Sequence, residues 1–133
     1  MNIEVTGAAI ARLTRREIAS FARKVLLKLH RDAGVSIAFV DDETMTDLNR
    51  RFRHRNRTTD VLTFPGDETY SGEIVICVDQ ARRQAAEEKH SLATEVRYLI
   101  LHGILHSLGY DHETDGGEMN ALEERVREAV GLD

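Results

Sequence analysis

The sequence predicts an α+β fold, a single domain over residues 1–133 in which a mixed four-stranded sheet packs against helices. Three observations carry this. Short β-rich runs stand at 3–5, 35–40, 61–65 and 73–78; stretches of helical period separate and follow them; and 133 residues suffice to bury one core without staples. Repeats, low-complexity tracts and linkers are lacking, and the only proline, Pro65, closes an apolar run.

The elements follow in order. Residues 3–5 (IEV) read as a short first strand. Thr14 and Glu17 form a capping box ahead of a helix whose inward stripe is Ile18, Phe21, Ala22, Val25, Leu26 and Leu29, with Gly34 expected to end it. VSIAFV, 35–40, is almost wholly apolar and predicts a strand covered on both faces. Asp41 or Asp42 caps a second helix, with Met45, Leu48 and Phe52 inward and Arg50, Arg51 and Arg53 pointing elsewhere. VLTFP (61–65) and EIVICV (73–78) read as the two arms of a hairpin. Asp79 is expected to cap a helix running to about His90, and Ser91 another, LATEVRYLILHGILHSL, which is apolar nearly all round and therefore central. Gly109 suits the left-handed residue that closes it. A last helix after Asp115-Gly116-Gly117 turns Met119, Leu122, Val126 and Val130 inward.

Composition narrows the function. With 41% hydrophobic and 31% charged residues the chain reads as soluble, and no apolar run approaches a membrane span. The N-terminus lacks the pattern of a signal peptide, and the lone Cys77 suits a reducing compartment, so a cytoplasmic protein is expected. The net charge of −5 conceals a division: residues 1–57 hold twelve Lys/Arg against seven Asp/Glu, and the remainder six against sixteen. Much of the positive charge is RRFRHRNR, 50–57, with five arginines in eight positions.

HGILHSLGYDH, 102–112, carries the chemistry. Four residues of helix advance about 400° and ~6 Å, so His102 and His106 project from one face at adjacent turns. Gly109 lets the chain leave the helix sharply, so that His112 can return as a third ligand. Three imidazoles suit Zn²⁺ and leave one tetrahedral position open, the arrangement of catalytic sites, in which a bound water's pKa falls toward about 7. Three histidines within eleven residues of an otherwise apolar helix are costly to bury without a partner, which favours a metal over chance. The spacing is similar to that of the metzincin peptidases, giving a zincin-like metal-binding helix, but their general-base glutamate is replaced by Gly103. Peptide hydrolysis thereby loses its base.

A second resemblance covers more of the chain. HGILHSLGYDH, FRHRNRTTDVLTFP (52–65) and GEIVIC (72–77) resemble, in order, three signatures of the YbeY family of bacterial endoribonucleases, the rRNA maturation factors. Thr63 and Glu73 depart mildly from the family's serine and aspartate, and the connection from Pro65 to Gly72 is shorter than in many members. The resemblance implies an α+β fold; one zinc ion per chain held by His102, His106 and His112; Arg53 as the arginine tied to activity; and cleavage of single-stranded RNA in 16S rRNA 3′-end maturation and ribosome quality control, with the small ribosomal subunit as partner.

The residues fit such chemistry. Phosphodiester cleavage adds charge to a group already negative, so cations matter more than a carboxylate base: zinc and a bidentate Arg53 would serve, and Arg50, Arg51, Arg55 and Arg57 could track the backbone, with His54 stacking or hydrogen bonding beside them. No duplex-reading motif is visible, so duplex DNA is not expected. Asp111 and Glu113 could orient a ligand or shuttle protons; Cys77 reads as a small buried hydrophobe, and His30 and His90 as surface residues at helix ends. Two other functions are weighed against the nuclease: a non-catalytic ribosome-assembly factor that binds rRNA around a structural zinc, and a metallopeptidase, which Gly103 opposes.

Overall fold

Helix and strand boundaries follow local signals at most junctions of the chain. The structure is a computed structural model that describes residues 2–7, 13–67, 70–110 and 116–132. Its elements are β1 (Ile3–Thr6), α1 (Arg15–Lys28), β2 (Gly34–Val40), α2 (Asp42–Arg53), β3 (Val61–Pro65), β4 (Tyr70–Cys77), α3 (Val78–Glu88), α4 (Leu92–Ser107) and α5 (Glu118–Val130). The four strands form one mixed sheet in the order β1-β2-β4-β3, parallel except for the antiparallel β3–β4 hairpin. This is the α+β arrangement expected.

Thr14 caps α1 through the full capping box with Glu17, and Asp41 and Ser91 cap α2 and α4 by accepting from the N–H groups of Thr44 and Thr94. Three expectations are corrected. α1 ends at Lys28 with His30 in the left-handed region, and Gly34 instead opens β2. α3 starts after Cys77, and Asp79 uses its carboxylate on another helix, accepting from the Asp42 N–H at 2.9 Å. β2 alternates instead of being covered equally on both faces: Val35, Ile37 and Phe39 are buried, while Ser36, Ala38 and Val40 are half-buried.

That alternation divides the interior into two layers. Val35, Ile37 and Phe39 pair with or lie beside Ile74 and Ile76 of β4, and this sheet face carries the main core with α1, α4 and α5. The opposite face, with Leu62, Val75 and Cys77, is covered by Met45 of α2. α4 lies close on β4. A Cβ placed on Gly103 would come within 2.8 Å of the Ile74 side chain, itself fully buried. Position 103, where the peptidases keep their acid, therefore faces packed sheet with no room for even a methyl group.

Candidate active-site cleft

The packing of α4 decides which of its residues meet solvent. Its apolar residues from Leu99 to Leu105 are buried, while His102 and His106, four residues apart, are half-buried along one edge. Their Nε2 atoms stand 3.0 Å apart and the ring centroids 4.5 Å apart, with planes inclined at 67°. A tetrahedral zinc with Zn–N bonds of about 2.0–2.1 Å asks its nitrogens to lie roughly 3.3 Å apart, so the pair fits such an ion with little adjustment.

At the end of α4 the Gly109 N–H bonds to the His106 carbonyl and the Tyr110 N–H to that of Leu105, with Gly109 at φ 99° as expected. This turns the chain off the helix beside the histidines. His112, Asp111 and Glu113 lie outside the described residues. On the far side of His102, an oxygen of Glu123 from α5 stands 3.9 Å from Nδ1. That puts a carboxylate beside the ring nitrogen not turned toward His106.

Both histidines line a cleft of about 650 Å³ whose other walls come from the end of α2 and from Thr59 through β3. Arg53, the last residue of α2, is at its edge. His54 takes the left-handed conformation and donates its N–H to the Arg50 carbonyl, and the buried Asn49 side chain donates to the Arg57 carbonyl at 2.8 Å. The arginine-rich turn is thus anchored from beneath, which holds Arg53 in place. Of the five arginines Arg53 alone lines the cleft: Arg50 and Arg51 pair with Asp47 on the outer face of α2, and Arg55 and Arg57 are exposed in the following turn. His54, at the same exposed turn, does not line it either.

Asp60 is the acidic side chain among those lining the cleft. One of its oxygens accepts from the Val61 N–H at 2.8 Å and the other from Gln84 at 3.3 Å. The Gln84 amide nitrogen also donates to Glu95 at 2.9 Å, while its oxygen accepts from Gln80, which fixes the amide's orientation. Glu95 is buried and meets His90 at 2.6 Å. His90 is therefore not the plain surface residue expected: half-buried, it forms with the buried Glu95 and the half-buried Gln84 a polar chain that ends on the cleft carboxylate.

A second group able to hold a metal ion lies away from the histidines: one ligand atom each from Asp42, Cys77 and Asp79 falls within 4.8 Å of the others. Arg83 makes two bonds to Asp42, at 2.7 and 3.0 Å, and Asp79 accepts from the Asp42 backbone. The Arg83 guanidinium holds the Asp42 carboxyl at about 2, below the ordinary 3.8. Burial pushes the Cys77 thiol up, which disfavours the thiolate a metal needs and agrees with its reading as a small buried hydrophobe. A cation entering here would have to displace the guanidinium.

Because the Asp42 carboxyl is depressed in the folded state, its contribution to stability is complete above its unfolded value near 3.8 and disappears as pH falls toward about 2. Acid unfolding should therefore show a loss across that window that shrinks in Arg83→Ala. The pair is exposed, so the effect is small. Equal acid sensitivity in the two proteins, measured by urea midpoints along a pH series, would contradict it.

Several residues here escaped the sequence reading. Asp60 stood inside the T-D-V-L run and was passed over. Glu95 stands five residues after His90, across the Ser91 cap, a local pairing the sequence reading missed, whereas Glu123 is brought to His102 only by the tertiary fold. Phe52, expected inward, is 58% exposed and lines the cleft.

Among the described residues no helix is long and apolar enough to cross a membrane. A family model described as Endoribonuclease YbeY matches residues 2–131. Similar proteins include the endoribonuclease YbeY of Nautilia profundicola, 45% identical over 104 residues, which are 76% of this chain and 75% of that protein. That of Solibacter usitatus is 40% identical over 124 residues, 93% of this chain and 84% of that protein. In structure the chain is similar to a solution structure of a Thermotoga maritima protein, with a TM-score of 0.72 and 30% identity over 96% of this chain and 88% of that one. With the family model spanning nearly its whole length and relatives this similar over most of it, the chain belongs to the YbeY endoribonuclease family.

Proposed function

We propose that this protein is a zinc-dependent endoribonuclease acting on single-stranded RNA, with the 3′ end of the 16S rRNA precursor on the small ribosomal subunit as its substrate, in rRNA maturation and ribosome quality control in the cytoplasm. The observation that supports it best is the pair of imidazole nitrogens 3.0 Å apart in a cleft that Arg53 also lines.

His102 and His106, with His112 as the third ligand, would hold the ion. Zinc there would supply Lewis acidity toward a phosphate oxygen and an acidified water. Arg53 binds the phosphate with its planar guanidinium and offsets the charge that grows on it during cleavage. Asp60, held by Gln84 and the Val61 N–H, presents a carboxylate in the same cleft and is the proton acceptor that position 103 has no space to provide. Glu123 steadies the ring of His102. Arg55 and Arg57, exposed beyond the cleft edge, lead the strand toward Arg53, with a steep dependence on salt.

The test is cleavage of an unpaired 16S-like precursor by zinc-loaded protein, by protein stripped with chelator, and by stripped protein given zinc again. Cleavage should vanish on stripping and return with zinc, and annealing a complementary strand over the site should block it. Undiminished cutting after chelation, or equal cutting of the duplex, would contradict the proposal.

A further inference from the structure

Helical period places Phe52 near Met45 and Leu48, and folding such a ring inward would remove a large apolar surface from water. The chain leaves it out: Met45 is fully buried, whereas Phe52 is 58% exposed. Among the described residues the exposed large apolar side chains are Phe52 and Leu27. A lone exposed apolar residue signifies little, and Leu27, on α1, lines no part of the cleft. Phe52 does line it. Its ring meets that of Phe64 from β3 edge to face, with centroids 5.1 Å apart and planes at 79°. Phe64 lines the cleft too, as do Arg53 and both histidines.

An aromatic ring that is supported on one side and open to water on another, adjacent in sequence to a phosphate-binding arginine, matches the chemistry of an unpaired nucleotide. The arginine takes the phosphate, and the ring offers a flat apolar surface to the base attached to it. A base in a duplex has both faces covered by its neighbours and cannot use such a surface. Arg53 at the cleft edge, with Arg55 and Arg57 exposed in the turn beyond it, gives this side the positive charge a polyanion requires. We propose that Phe52, buttressed by Phe64, is the stacking subsite for one unpaired nucleobase of the strand whose phosphate is held at Arg53. The subsite rests on the RNA reading above and adds a physical reason for a preference for single strands.

The chain contains no tryptophan, so Phe52→Trp creates a single indole at the position in question. Zinc-loaded Phe52→Trp protein, mixed rapidly with an unpaired RNA oligomer, should show saturable fluorescence quenching before product forms. The quenching should be lost when the oligomer carries abasic riboses or is annealed to its complement. Phe52→Ala should raise the Kd and KM for unpaired RNA about tenfold, with a smaller effect on kcat, while its thermal midpoint stays near that of the parent because the ring is mostly exposed. Phe52→Tyr should keep most of the parent's affinity. RNA bound by the parent as tightly as by Phe52→Ala, or an indole unquenched at saturation, overturns the subsite alone and points to a protein partner for this ring. Failure of the parent to bind unpaired RNA overturns the RNA reading, and the subsite with it.

Discussion

Replacing His106 with alanine is expected to abolish zinc binding and RNA cleavage together. The ring's Nε2 lies 3.0 Å from that of His102, so its removal leaves a remaining donor set that holds an ion far more weakly. Cleavage should fall by about 10³-fold or more, the scale at which loss of a principal catalytic group registers. The fold should survive, because His106 is half-buried at the cleft and alanine is the best helix former. Metal content, cleavage rate and thermal midpoint, measured on parent and variant purified side by side, make the check. A variant that loses activity while keeping a full equivalent of zinc would break the link between this histidine and the ion.

Replacing Arg53 with alanine should separate the two properties: zinc content unchanged, cleavage down by about 10²–10³-fold. Lysine should recover only part of this, since an ammonium is a point charge and cannot make the paired contact of a guanidinium. The neighbouring arginines supply an internal control. Arg50 and Arg51 are turned toward Asp47 on the outside of α2, so alanine at either should cost only a few-fold, chiefly in KM and at low salt. If Arg50→Ala and Arg53→Ala impair cleavage equally, the run acts as a diffuse positive field and Arg53 has no separate role.

Much of the fold was legible because its signals are local. The Thr14–Glu17 box, the Ser91 cap and the Gly109 terminus each act within a few residues and appear where the sequence placed them. The two central histidines belong to the same class, since a four-residue interval on a helix defines a shared face. Misreadings arose where a distant group decided the outcome. Asp79 has the character of a helix cap, but the Asp42 N–H, thirty-seven residues away, claims its carboxylate. His90 was misread for a nearer reason: the turn at Ser91 sets Glu95, five residues on, against its ring, and the longer-range part is Gln84, which extends the link to Asp60. Phe52 shows the opposite failure: hydrophobic period implied burial, whereas its surroundings left the ring at the cleft. The substitution of Gly103 for an acid was visible in sequence, and its physical reason, the Ile74 side chain beneath it, was visible only in the packing.

Anomalous diffraction at the zinc edge from crystals of the metal-loaded protein would locate the ion proposed to lie between His102, His106 and His112. One strong peak per chain is expected, within about 2.0–2.1 Å of three imidazole nitrogens, one from each of these residues, with no fourth side chain in the coordination sphere. A peak at Asp42, Cys77 and Asp79 instead, or rings that point apart with no peak between them, would contradict it.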